Sequence, residues 1–336
     1  MKKLIKLSLA GMALATSALA LTSCNKTKAD YTIGILQYVS HNALDNASEG
    51  FKEAIKAKIP SGKTVEFVEL NPQADATANQ TMAAKLVREC DLVLGNATPA
   101  AQQLIAARAT EGKLDLPLLF TSVTDPVAAN LISDTNRNNN VTGTSDMNPV
   151  EDQMEMIFDL DPSVDKVGFL YTVSEINSQT QCEIATDYLA LNHSDVATET
   201  QTFAEASGIN TAVTKLVNDG CDCIFLPTDN IVASNIPSVT NITNPAKVFT
   251  LAGEENMVSA GATITLSVNY KELGKTTGDM AIDILINGKD ADEIEVAMQN
   301  ELSKYIFAKN DAALQACDLT LSEAFKTKYA SLYNFD

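Results

Sequence analysis

Four short stretches carry the residue types that could hold a small charged molecule. Asn96-Ala97-Thr98-Pro99 follows an apolar run, with Thr98 placed to cap a helix and Pro99 to occupy its first position. A helix start of that kind presents free N–H groups and the positive end of a dipole, which suits a carboxylate or phosphate. Thr121-Ser122-Val123-Thr124-Asp125-Pro126 is placed comparably, and its hydroxyls can donate to the same anion. Ser174-Glu175-Ile176-Asn177-Ser178 offers Asn177 and Ser178 as donors and Glu175 as an acceptor. Pro227-Thr228-Asp229-Asn230 and Glu254 supply acids that could receive an ammonium group, although each acid could equally cap a helix. Asp229 and Glu254 as a carboxylate pair would also suit a surface hydrolase, provided their separation and environments differ. His41 is read as a pocket edge rather than a base, since no nucleophile accompanies it in an identifiable motif.

These stretches need strands and helices to bring them together. From Tyr31 the chain alternates short apolar runs with helical stretches, the pattern of repeated β–α units. Strands are expected at Tyr31–Leu36, Val65–Leu70, Leu92–Leu94 and Leu116–Phe120, with helices near Leu44–Lys58, Thr77–Glu89 and Thr98–Thr110. A polar stretch, Ser133 to Asn140, interrupts the rhythm, and a second series then begins. It has helices at Val150–Leu160, Ile176–Leu191, Gly208–Asn218 and Ile231–Val239, and strands at Lys166–Tyr171, Val196–Phe203, Cys223–Leu226, Val248–Leu251 and Gly261–Leu266. A last helix, Tyr270–Asn287, is expected to return to the first series. The fold class is therefore α/β, with two doubly wound parallel-sheet lobes joined by a multi-strand hinge. The lobes are placed at 31–142 with 269–290, and at 143–268 with 291–336. Ligands of such sheets collect beyond the C-terminal strand ends, where all four stretches fall.

Composition narrows the class further. The 336 residues carry a formal charge of −19, and without residues 1–23, which hold three lysines and no acid, it becomes −22. Such a surface repels nucleic acid and anionic headgroups, so no nucleic-acid partner is expected. Five cysteines besides Cys24 are an odd number, which argues against a complete disulfide framework. Cys221 and Cys223, on one face by strand alternation, read as buried thiols, because no zinc-like ligand spacing accompanies them. Neither metal nor cofactor is expected. No Gly-x-x-x-x-Gly-Lys-Ser/Thr loop occurs, so ATP hydrolysis by that machinery is not expected of this chain.

The N-terminus reads as an address. Lys2, Lys3 and Lys6 precede an apolar stretch from Leu4 to Leu21, as in a secretory signal at 1–23. Leu21-Thr22-Ser23-Cys24 resembles the bacterial lipobox, which implies a lipid on Cys24, a polar tether at 24–30 and a place on the outer face of the bacterial cell membrane.

The motifs also resemble, in order along nearly the whole mature chain, the ABC-transporter substrate-binding lipoproteins of the TrpX type, which bind tryptophan and tyrosine within the type I periplasmic-binding-protein fold. The matching segments are Gly34-Ile35-Leu36-Gln37 leading to Ala43-Leu44-Asp45, Thr124-Asp125-Pro126-Val127, Val141-Thr142-Gly143-Thr144-Ser145-Asp146, Glu175-Ile176-Asn177-Ser178, Pro227-Thr228-Asp229-Asn230, Gly253-Glu254-Glu255 and Tyr270-Lys271-Glu272-Leu273-Gly274. Ser40-His41-Asn42 departs from the Glu-His-Pro associated with the family at that place. The resemblance implies a monomeric receptor rather than an enzyme, closing its lobes on a small solute and delivering it to an ABC permease driven by a separate ATPase. An aromatic amino acid is the favoured cargo. Thr98, Ser122 and Ser178 then hold its carboxylate and Asp229 its ammonium, with Asn96, Asn177 and Glu254 nearby and Gln37, Tyr38 and His41 lining the side-chain pocket. A sugar is the second cargo class, disfavoured by the absence of Trp; a sensory role of the same fold is the third alternative.

Overall fold

The structure is a computed structural model that describes residues 29–133, 139–299, 301 and 304–335. The expected signal, Cys24 and most of the tether lie outside the described residues. The first series gives β1 (Tyr31–Gln37), α1 (Asn42–Lys58), β2 (Val65–Leu70), α2 (Ala76–Glu89), β3 (Leu92–Asn96), α3 (Thr98–Thr110), β4 (Leu118–Val123) and β5 (Val141–Ser145). The second gives α4 (Val150–Leu160), β6 (Lys166–Thr172), α5 (Ile176–Asn192), β7 (Ala197–Phe203), α6 (Ile209–Asn218), β8 (Cys223–Leu226), α7 (Asn230–Ala233), α8 (Ile236–Thr243), β9 (Phe249–Ala252), α9 (Glu255–Ser259) and β10 (Ile264–Ser267). The chain ends with α10 (Tyr270–Leu285), β11 (Ala297–Met298), β12 (Ile306–Lys309), α11 (Asp311–Ala316) and α12 (Glu323–Tyr329).

Two six-stranded sheets result, ordered β11-β5-β4-β3-β1-β2 and β12-β10-β9-β8-β6-β7. All pairings are parallel except β10 with β12. Central strands β3, β4, β8 and β9 are buried along their whole length, as expected of strands covered by helices on both faces. The edge strands β2 and β7 carry the polar sequences VEFVEL and ATETQTF and stay partly exposed.

Helix α10 returns to the first lobe by lying against α1. The approach is too close for side chains: a Cβ on Gly274 would sit 2.0 Å from the Ala47 carbonyl oxygen, and one on Gly50 2.1 Å from that of Lys271. Glycine at both positions lets the helix backbones touch, while Phe51 and Ile55 fill the core beneath them.

Four expectations change. The boundary placed between 142 and 143 falls inside β5, which pairs with β4 through Ser145. Residues 291–298 also belong with the first lobe rather than the second, because the segment after α10 is stitched to β5 and its last two residues, Ala297 and Met298, pair with it. Thr142 Oγ1 donates to the Ile294 carbonyl at 2.8 Å, Asn140 N donates to Asp292 at 2.9 Å, and Ala297 pairs with Thr144. The helix expected over Ile231–Val239 is two helices, since Pro237 near the start of α8 has no N–H to continue the ladder from α7. Cys221 and Cys223 are both buried but on opposite sides of the sheet, Cys223 packing with Phe225 and Cys221 with Ile224. Strand geometry begins only at Cys223, so alternation does not reach back to Cys221.

Candidate functional site

The C-terminal ends of both sheets face each other across a narrow cleft whose empty space, open solvent at its mouth included, is about 290 Å³. The first lobe contributes His41, Leu44, Ser122, Asp146 and Tyr270. The second contributes Asn177, Thr228, Asp229, Asn230, Ala233, Glu254 and Met257. Among the described residues that line it are three carboxylates and no lysine or arginine.

Asp229 lies three residues beyond the end of β8, caps α7 and is fully buried. Its Oδ2 accepts from Thr172 N at 2.7 Å and from Ser178 Oγ at 3.1 Å. Its Oδ1 accepts from Thr172 Oγ1 at 2.8 Å, Ile231 N at 3.0 Å and Val232 N at 2.9 Å. Five donors occupy the roughly four lone-pair sites of a carboxylate, so its hydrogen-bonding capacity is filled from within its own lobe. Burial pushes this carboxyl upward from its ordinary value, and the hydrogen bonds pull it back.

Glu254 occupies the equivalent corner one strand over, ending the turn after β9 and capping α9. Its donors come from the start of its own helix: Oε2 accepts from Asn256 N at 2.6 Å and Asn256 Nδ2 at 2.9 Å, and the Met257 N–H also favours the charged carboxylate. It is 2 % exposed, and burial raises its pKa to about 7. Asp146, at the end of β5, accepts from Thr124 Oγ1 at 3.0 Å and from the Tyr270 hydroxyl at 2.6 Å, and burial raises it as well.

Glu175 stands behind this wall. Its Oε2 accepts from Asn230 N at 3.0 Å, Asn230 Nδ2 at 2.7 Å and Asn177 Nδ2 at 3.2 Å, while Oε1 is buried without a partner. Burial first, and the Asp229 charge second, push its carboxyl well above the ordinary range. Ser122 is a further unsatisfied group: the register of β4 against β5 shifts between Phe120 and Val123, leaving Ser122 in the left-handed region at φ 55° with its Oγ buried and unpartnered. A non-glycine residue held in that region at a cavity wall is a strained placement.

Direct contacts span the cleft. His41 Nε2 lies 3.2 Å from Asn230 Oδ1, Thr124 Oγ1 lies 3.2 Å from Thr228 Oγ1, and Gln181 Nε2 donates to Thr124 Oγ1 at 3.3 Å. All three join a loop of the first lobe to the second.

Of the residues singled out in the sequence, His41, Ser122, Asn177, Asp229 and Glu254 line the cavity. Ser178 stands behind two lining residues, its Oγ donating to Asp229 and accepting from Asn177 Nδ2 at 3.3 Å. Gln37 and Asn96 are tied to α1, Gln37 accepting from Ser48 Oγ at 2.7 Å and Asn96 donating to the Leu44 carbonyl at 2.8 Å. Tyr38 is half-buried, its hydroxyl 3.4 Å from the Ala74 carbonyl; burial and the charges of Glu175 and Asp229 push the phenol up to about 12. Thr98 is not the cap of α3. The helix begins at Thr98 itself, Ala97 precedes it at φ 87°, and Pro99 removes one of the first N–H donors. Asp146 and Tyr270 were not singled out as site residues, although both lie within quoted motifs; 124 positions separate them along the chain.

A family model described as "ABC transporter substrate binding protein" matches residues 32–331. A tyrosine-binding protein of Clostridioides difficile (strain R20291) is 34 % identical over 306 residues, covering 90 % of this chain and 85 % of that protein. An ABC domain from Streptococcus pneumonia, solved in complex with L-Trp, is 31 % identical with a TM-score of 0.80, covering 88 % of this chain and 97 % of that one. The ligand-free, open structure of a substrate binding protein with adhesive properties from Clostridium difficile is also 31 % identical, covering 87 % of this chain and 96 % of that one, but its TM-score is 0.65. At equal identity, the lobe arrangement here matches the complex better than the open form.

Proposed function

The chain belongs to the ABC transporter substrate binding protein family, and we propose that it binds an aromatic amino acid between its lobes, with Glu254 as the acceptor for the ligand's ammonium group. The observation that carries this reading is the cavity wall itself: three carboxylates, no cation among its described lining residues, and one acid, Glu254, held by fewer donors than Asp229. An ammonium group supplies further donors in a site where water is scarce, and a charge-assisted hydrogen bond is strong there. Asp229, filled by five donors, orders the wall rather than receiving the ligand. The ligand's carboxylate goes to the first lobe, where Ser122 Oγ has no partner and the Thr98 N–H opens α3. Leu44, Ala233 and Met257 offer apolar surface to the side chain.

The names of the two relatives, one tyrosine-binding and one complexed with L-Trp, support the aromatic class. The lobe arrangement and the contacts across the cleft fit a closed receptor. Within this reading the chain is an exported lipoprotein, cleaved before Cys24, tethered through 24–30 and working as a monomer without cofactor or catalysis. It passes its cargo to a permease coupled to a separate ATPase, and tethering raises its effective concentration at that partner.

Thermal unfolding with a panel of amino acids and sugars tests the assignment. Tyrosine or tryptophan is expected to raise the Tm, by about 2.7 kcal/mol of added stability at a hundred times Kd. A shift with a sugar and none with any aromatic amino acid contradicts it.

A further inference from the structure

His41 holds an unused hydrogen-bonding atom in the cavity wall, and its protonation pattern follows from its neighbours. Glu175 Oε2 receives three donors: Asn230 N, Asn230 Nδ2 and Asn177 Nδ2. Any proton on that carboxyl therefore resides on Oε1, and Oε2 remains an acceptor in either state. An acceptor there fixes the Asn230 amide with its nitrogen toward Glu175 and its oxygen toward His41. An oxygen facing His41 Nε2 at 3.2 Å requires that nitrogen to carry the hydrogen. In the neutral ring Nδ1 is then a bare acceptor. Burial is the largest influence on this ring and favours the neutral form, outweighing the Asn230 contact and the Asp45 charge, which pull the other way. Nδ1 is buried and has no partner in the protein.

We propose that His41 reads the donor on the ligand's ring: its Nδ1 accepts from a phenol O–H or an indole N–H, so that tyrosine and tryptophan are preferred over phenylalanine. The inference rests on the aromatic amino-acid reading above and adds a specificity-determining residue to it. Phenylalanine has nothing to offer Nδ1 and leaves a buried acceptor unpaired, which costs affinity. Glu175 and Asn230 act at a distance as positioning residues, setting the tautomer without touching the ring donor.

Titration calorimetry of the purified protein and its His41→Phe variant with L-tyrosine, L-tryptophan and L-phenylalanine tests this. The native protein is expected to bind phenylalanine roughly 10-fold or more weakly than the better of the other two, and the variant to lose most of that preference. Loss of the His41–Asn230 contact across the cleft weakens all three ligands alike, so phenylalanine isolates the reading role. Equal weakening of the three, or a native preference for phenylalanine, overturns the inference while leaving the aromatic assignment standing. Failure of the native protein to bind any of them overturns both. The chain has only two histidines, so ¹⁵N imidazole spectra of the native protein give a second route that needs no variant. An Nε2–H tautomer is expected, with an Nδ1 resonance that differs between the tyrosine and phenylalanine complexes. An Nδ1–H tautomer in the tyrosine complex, or identical Nδ1 resonances in both, overturns it.

Discussion

The corners at Asp229 and Glu254 are built alike and do different things. Each follows a fully buried parallel strand, β8 or β9, and each places an acid as the cap of a short helix. Asp229 is reached by donors from β6, α5 and α7, and five of them fill its oxygens. Glu254 has fewer donors, all from the start of α9: Asn256 through N and Nδ2, and the Met257 N–H. β8 lies beside β6 in the sheet, so its corner has the β6–α5 loop against it; β9 lies between β8 and β10 and lacks that neighbour. Buried acids of one type thus divide into structure and site by how many donors surround them, not by burial.

Asp229→Ala should break the first corner. It strands Thr172 N, Ile231 N and Val232 N in a buried place, and urea unfolding is expected to show a loss of roughly 3–5 kcal/mol. A loss below about 1 kcal/mol would mean that these donors find other partners. Glu254→Gln should separate the corners: it removes a charge whose burial is unfavourable, so stability should hold or rise, while affinity for tyrosine falls roughly 30-fold or more. Calorimetry and unfolding on the same variant check both halves, and an unchanged Kd returns the ammonium to another acid.

Acidity sharpens the contrast further. Burial raises Glu254 from its ordinary 4.5 to about 7, so between those values the folded protein holds a proton that the unfolded chain has released. Stability of the empty protein should therefore fall as pH rises through that window. Ligand binding should run the other way, because only the ionised carboxylate pairs with an ammonium. Kd for tyrosine is expected to weaken about 10-fold for each pH unit below 7 and to level off above it. A flat Kd from pH 5.5 to 8 contradicts the role given to Glu254.

Much of the frame was legible before any coordinates. Val65–Leu70, Thr98–Thr110, Val150–Leu160 and Cys223–Leu226 fall where apolar period and turn residues place them. What escaped depends on distant partners. β11 is two residues long and exists because β5 lies beside it, and β12 runs antiparallel against β10 in a sheet otherwise read as parallel. The acids Asp229 and Glu254 could be found from the strand ends, yet their different fates could not, since the donors to Asp229 include Thr172, 57 positions away. Asp146 and Tyr270 escaped for the same reason, and Gln37 and Asn96 stand at strand ends but turn to α1.

A crystal structure of the protein with L-tyrosine tests the central claim most directly. The account predicts the amino acid between the lobes, its ammonium nitrogen within hydrogen-bonding distance of the Glu254 carboxylate and the five donors of Asp229 undisturbed. An ammonium seated on Asp229, with one of those donors displaced, or a ligand lodged outside the cleft, would contradict it.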